Sequence, residues 1–372
     1  MKNRKISLSF IISLAAVLVA LIVGAVIIAL TGSNPFKAYY ALLQGCGLAP
    51  KKSYGASFNM FTDFLSYVNY FTPMIFAALA VAVALKAGLF NIGVSGQMLA
   101  AGFTATVFIG YSDMNAFIAK PLVILIGALV GGVCGAIVGY LKYRFNINEV
   151  VSTIMFNYIF QYVDSFLINT YYVDTVTRQS KAINQSARLT LKDTQVGNLK
   201  MDIPLGIVLA LIAVVYVWYL MEKTTLGYEI KAVGMSKSAA RYAGIRVGKI
   251  TVLSMTISGV LAGLAGVTYY LGYLGSIQPK VLVDTGYDAI AVSLLGNNNP
   301  FGIILSTMLV SLIDNGSAYM KSQAGVEAEI ASVITGIILI FSASNAFITY
   351  VIKNRQAAKE LKAKEKTTKE ES

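Results

Sequence analysis

A chain of 372 residues that is 56% hydrophobic and only 13% charged, against about 25% charged in soluble domains, reads as an all-α, polytopic membrane protein. Its net charge of +12 falls mostly between the apolar runs, as the positive-inside rule requires, so nucleic acid is not the expected partner. With no histidine, and with Cys46 and Cys134 far apart and outside any CxxC pattern, the chain lacks the residues for a Cys/His metal site or a thiol redox centre.

A span needs about 20 mostly apolar residues. Residues 7–30, 66–86, 90–111, 120–142, 150–170, 203–221, 250–274, 301–320 and 327–350 meet that measure. The run 284–297 is a tenth, short or broken, of the kind a membrane tolerates where protein or water covers loose backbone. The first run is too long for a signal-peptide core and no small-residue cleavage site follows it, so it is expected to be retained. Lys2, Arg4 and Lys5 before it, and the lysine-rich tail 353–372, place both termini in the cytoplasm and make the number of crossings even.

Two linkers stand out. The outer loop 171–202 is polar and mixed in charge, and is expected to be ordered only against the membrane face or a partner. The inner segment 222–249 carries six basic residues and a short small-residue helix at 236–242, with Gly234 as its start signal and Gly244 as its stop. Such a helix suits a cytosolic partner, or alternatively membrane lipid headgroups. The tail reads as solvated.

Catalytic motifs are missing. GIRVGK at 244–249 has the wrong spacing for a phosphate-binding loop, and neither a nucleophile elbow nor HExxH occurs. What remains is a set of costly polar residues inside the spans. GLFNIGVSGQMLAAG at 88–102 combines Asn91, Ser95 and Gln97 with four glycines, readable as close helix packing or as a cavity wall. On a straight helix Asn91 lies near the inner mouth and Gln97 about 9 Å deeper, which makes Gln97 the residue placed to meet cargo. Asn157, Gln161 and Asp164 share one helical face among Phe156, Tyr158, Phe160, Tyr162 and Phe166, a combination suited to a flat polar solute or to a polar seam. Tyr269, Tyr270 and Tyr273 read as an interfacial belt. Asp164 and Asp314, the latter with no lysine or arginine inside any span, away from the span ends, to pair with it, keep a proton-coupled carrier open as a rival.

The stretches 88–102, NEVVSTIMFNYI at 148–159, TTLGYEIKAVGMSKSAARYAGI at 224–245, SGVLAGLAG at 258–266 and AIAVSLLGNNNPFGI at 289–303 resemble permease subunits of bacterial ABC importers in the ribose/branched-chain amino acid class. The second stretch and the long outer loop are most similar to the nucleoside (BMP-type) branch. The resemblance implies about ten helices in the cytoplasmic membrane, a second homologous permease, cytosolic ATPase subunits that bind the ATP, and an extracellular substrate-binding lipoprotein. It implies that 234–244 carries the coupling helix, with Gly234, Ser236, Ala239, Ala240 and Gly244 as its contact residues. Chemistry and position within the matched stretches nominate Asn91, Gln97, Asn157 and Gln161 for the nucleoside path. Ribose-like sugars or branched-chain amino acids are the alternative cargoes. No catalytic residue, metal or cofactor is expected on this chain.

Overall fold

The computed structural model describes residues 8–344, apart from 56 and 328, together with Val351 and Asn354. The N-terminal lysines and arginine and nearly all of the expected tail lie outside the described residues. Each of the ten expected segments contains a helix: α1 (Leu8–Leu30), α3 (Met60–Lys86), α4 (Val94–Ala105), α5 (Ala116–Phe145), α6 (Glu149–Leu167), α7 (Gly206–Lys223), α10 (Val247–Val267), α11 (Thr285–Leu295), α12 (Pro300–Ala324) and α13 (Glu329–Ala343). Among the described residues, six are long and apolar enough to cross a membrane: α1, α3, α5, α7, α10 with its extension, and α12. The helices α4, α6 and α10 each continue into a wider π-type turn, over Thr106–Gly110, Ile168–Tyr172 and Thr268–Leu274.

α3 is the axis of the bundle. Its middle, from Phe76 to Ala84, is apolar all round and almost entirely buried, as expected of a helix surrounded by other helices. It begins six residues earlier than the hydropathy run suggested. Asn59 accepts from the Thr62 amide while Thr62 Oγ1 accepts from the Asn59 amide, a reciprocal cap at 2.9 and 3.0 Å that turns polar residues into a helix start. A further helix, α2 (Pro35–Gly45), sits in what the sequence presented as a plain outer linker and packs on α12.

α5 and α10 meet along a glycine seam. A Cβ added at Gly131 would stand 2.2 Å from the Gly259 carbonyl oxygen, and one at Gly263 2.0 Å from that of Gly127. In a membrane, where apolar burial does not drive helices together, such backbone proximity supplies the packing.

The outer loop departs from expectation. It contains a hairpin, β1 (Thr190–Val196) and β2 (Leu199–Pro204), antiparallel around a turn at Gly197 and Asn198, and it packs on its own chain. Arg188 Nη2 donates to the Leu274 carbonyl at 2.9 Å, Thr190 Oγ1 to Asn69 Oδ1 on α3 at 2.9 Å, and the Ser180 amide to the Ile277 carbonyl at 2.9 Å. Burial lowers the pKa of the Arg188 guanidinium, and the charges of Asp202 and Asp193 oppose that shift. The Gly-Asn turn between alternating residues was the available signal.

Changing Gly259 to valine is expected to destabilise the fold by about 3 kcal/mol. Gly336→Ala, with nothing within 4 Å of the added carbon, is expected to be neutral or stabilising by up to about 1 kcal/mol. Thermal unfolding of the two purified variants checks the contrast.

Candidate functional site

The third expected span is broken at its start. α3 ends at Lys86, Gly88 takes φ +67°, and residues 88–93 re-enter the bundle without helical structure before α4 begins at Val94. Backbone at such depth needs partners from the protein itself. Asn91 Oδ1 accepts from the Gly93 amide at 3.0 Å, and Asn91 Nδ2 donates to Ser258 Oγ at 2.9 Å and to Gln97 Oε1 at 3.0 Å. Ser258 in turn donates to the Ala80 carbonyl at 2.7 Å. From α6, Asn157 Oδ1 accepts from the Gly96 amide at 2.8 Å, while its Nδ2 donates to the Ile92 carbonyl at 3.1 Å and to Tyr287 Oη at 3.2 Å.

This geometry corrects the depth reading. Asn91 and Gln97 are hydrogen-bonded neighbours, not residues about 9 Å apart along a helix, because the residues preceding α4 are not helical. Asn91 and Gln97 are 0% exposed and Asn157 is 1% exposed, and none of the three lines a cavity described below. The aromatic amide face also separates. Asn157 and Asp164 point inward and Gln161 is half-buried, donating to the Lys280 carbonyl at 2.7 Å, whereas Tyr158, Tyr162 and Phe166 are exposed on the other side of α6. The glycines of this stretch do pack closely: a Cβ at Gly96 would lie 2.7 Å from the Asn157 Cα, and one at Gly93 2.9 Å from the Thr153 Cβ.

At the same end of the bundle as Gly88 stand two short helices, α8 (Thr225–Met235) and α9 (Lys237–Tyr242). Thr224 caps the first through the Gly227 amide at 3.1 Å, and Ser236 caps the second through the Ala239 amide at 3.3 Å. Ala240 is buried, and Gly244, at φ +81°, ends the unit. Met235 and Tyr242 stand 88% and 95% exposed. Gly234 is not a start signal; it lies inside α8, where a Cβ would stand 2.1 Å from the Lys86 carbonyl oxygen. Gly88 and Gly234 thus bring the re-entrant segment and α8 into backbone contact, with 3.1 Å between a Cβ at Gly88 and the Gly234 Cα.

Toward the opposite end, α3, α11, α12 and α13 enclose a polar cavity of about 490 Å³. Its walls include Tyr70, Asp288, Asp314, Glu329 and Thr335, and Thr335 Oγ1 donates to Asp314 Oδ1 at 3.4 Å. Tyr269, Tyr270 and Tyr273 are not a lipid-facing belt. Tyr270 is buried, and Tyr273 packs edge-on against Tyr70 at 5.3 Å. Asp164 is buried on α6 and does not line this cavity, so the two aspartates of the carrier reading do not meet in it. The sequence marked Asp314; Tyr70, Asp288 and Glu329 join it only through the packing of helices far apart in the chain. Among the described residues, no group of three or more metal-ligating side chains is placed to hold an ion.

Replacing Asn157 by leucine leaves the Gly96 amide and the Ile92 carbonyl without partners. A loss of about 2–4 kcal/mol is expected, measurable as a lower unfolding temperature of the purified protein.

Residues 64–343 match the family model described as branched-chain amino acid transport system / permease component. The chain is 35% identical to the nucleoside ABC transporter permease protein NupB of Lactococcus lactis subsp. cremoris, over 99% of this chain and 98% of that protein. It is 36% identical to the guanosine ABC transporter permease protein NupP of Bacillus subtilis, over 92% and 95%. Against the glucose ABC transporter permease protein TsgB13 of Haloferax volcanii the identity is 27%, over 89% and 86%. With several apolar helices in the bundle and these matches along most of its length, the chain is a multi-pass transport subunit and belongs to the branched-chain amino acid transport system / permease component family.

Proposed function

We propose that this chain is the membrane-spanning subunit of an ATP-driven importer for nucleosides, working with cytosolic ATPase subunits, a second permease subunit and an extracellular binding lipoprotein. The observation that carries the reading is the similarity, along nearly the whole of each chain, to a nucleoside and a guanosine permease. The end bearing α8 and α9 faces the cytoplasm, in keeping with the basic residues of 222–249, and both termini lie on that side. ATP binds on the partner, since this chain carries no phosphate-binding loop.

The α8–α9 unit is the ATPase contact. Ser236 and Gly244 fix a stiff two-helix unit, Ala239 and Ala240 keep it slim, and Met235 and Tyr242 give an apolar grip for a partner groove. Displacement of this unit passes through the Gly234–Gly88 contact into the re-entrant segment, and from there through the Asn91, Gln97 and Asn157 bonds into α4, α6 and α10. The three amides therefore serve the solute path by holding its wall in place. The cavity around Tyr70, Asp288 and Asp314 offers carboxylate acceptors for sugar hydroxyls and base amino groups beside aromatic rings, and its volume suits a small solute. Gln161 anchors the loop at Lys280 that leads from α10 to α11.

Uptake of radiolabelled guanosine by cells carrying the full importer is expected to stop on ATP depletion and to persist when a protonophore collapses the proton gradient at maintained ATP. Uptake that follows the proton gradient instead would overturn the reading. Gly234→Leu is expected to lower uptake at least about tenfold, equivalent to about 1.4 kcal/mol of lost coupling, while co-purification with the ATPase persists.

A further inference from the structure

The turn joining α11 to α12 meets the last turns of α3 and α7 around a separate cavity of about 350 Å³. It lies at the α8–α9 end, remote from the acidic cavity, and shares no lining residue with it. One wall is apolar, built from Ala82, Val83, Val217 and Met221; the other presents Lys86, Trp218 and the polar turn 296–299. Lys86 is half-buried and makes no ion pair among the described residues. Glu222 on the rim is neutralised by Lys231 at 3.1 Å. A second lysine, Lys223, stands over the Trp218 ring with its Nζ 6.0 Å from the centroid. Asn298 spends its carboxamide oxygen on Ser293 Oγ at 2.8 Å, which leaves its NH2 group as a donor.

A partly desolvated ammonium without a counter-ion favours an anion, and the adjoining wall favours hydrocarbon. Tryptophan beside lysine at the end of two apolar helices marks the headgroup level of a bilayer, where basic pockets between helices take acidic headgroups. We propose that this cavity binds an anionic phospholipid, with its phosphodiester on Lys86 and its glycerol and first methylenes against Val83 and Val217. The bound lipid lies between the coupling segment, which begins at Glu222, and the turn ahead of α12. The proposal concerns neither the cargo nor its path and stands apart from the nucleoside reading.

Trp218 is the single tryptophan of the chain, so its fluorescence reports this cavity directly. In liposomes holding the full-length chain, brominated phosphatidylglycerol is expected to quench Trp218 about fivefold more effectively than brominated phosphatidylcholine at equal mole fraction, as one lysine contact near a membrane surface supports. Lys86→Gln is expected to equalise the two lipids and Lys86→Arg to keep the difference, with unfolding temperatures confirming that both variants fold. Equal quenching in the unmodified chain, which does not depend on any variant folding, overturns the proposal, as does an excess that survives Lys86→Gln. Loss of the excess on adding millimolar inorganic phosphate also overturns it, since the cavity would then hold a soluble anion.

Discussion

A peptide group left without a partner inside a membrane costs several kcal/mol, and this chain places a whole non-helical stretch, 88–93, within its bundle. The carboxamide of Asn157 donates to the Ile92 carbonyl of that stretch and accepts from the Gly96 amide in the first turn of α4. Asn91 accepts from the Gly93 amide and hands its bonds on to Ser258, which reaches the α3 backbone at Ala80. Four helices, α3, α4, α6 and α10, therefore share one polar knot. Their relative placement follows from it, as do the close approaches at Gly93 and Gly96 that no larger residue would allow.

The α8–α9 unit is in backbone contact with the segment that the knot holds. Helices joined only by apolar side chains can slide past one another, whereas a backbone contact between Gly88 and Gly234 leaves little room for slip. The re-entrant segment is short and tied at both ends, to α3 by the Leu89 amide on the Ala84 carbonyl at 3.0 Å and to α6 by Asn157. On the proposed function, motion entering at α8 reaches α3, α4, α6 and α10 as a displacement of packed elements, the form in which coupling between distant sites is physically carried.

Much of this architecture was legible in the chain. The apolar runs locate ten helices because lipid imposes length and composition on each, and Ser236 with Gly244 frames α9 because caps obey local rules. What was not legible depended on partners far away in sequence. Hydropathy carried α4 back to residue 90 because Leu89, Phe90 and Ile92 are apolar, yet Asn157, more than 60 positions on, lets the backbone there abandon the helix. Gln97 looked like a cargo contact because a polar side chain on an isolated helix must face something; its partner, Asn91, comes within reach only once the segment folds back. The acidic cavity assembles from four helices, and no single stretch announces it.

Hydrogen–deuterium exchange across residues 88–99, in the assembled importer with and without saturating guanosine, tests most directly whether the buried amides are scaffold. A scaffold role predicts that the Gly93 and Gly96 amides exchange as slowly as those of the core of α3, and that guanosine leaves their rates unchanged. Fast exchange in the resting protein, or protection that appears only with guanosine, would contradict it and return Asn91, Gln97 and Asn157 to direct contact with the cargo.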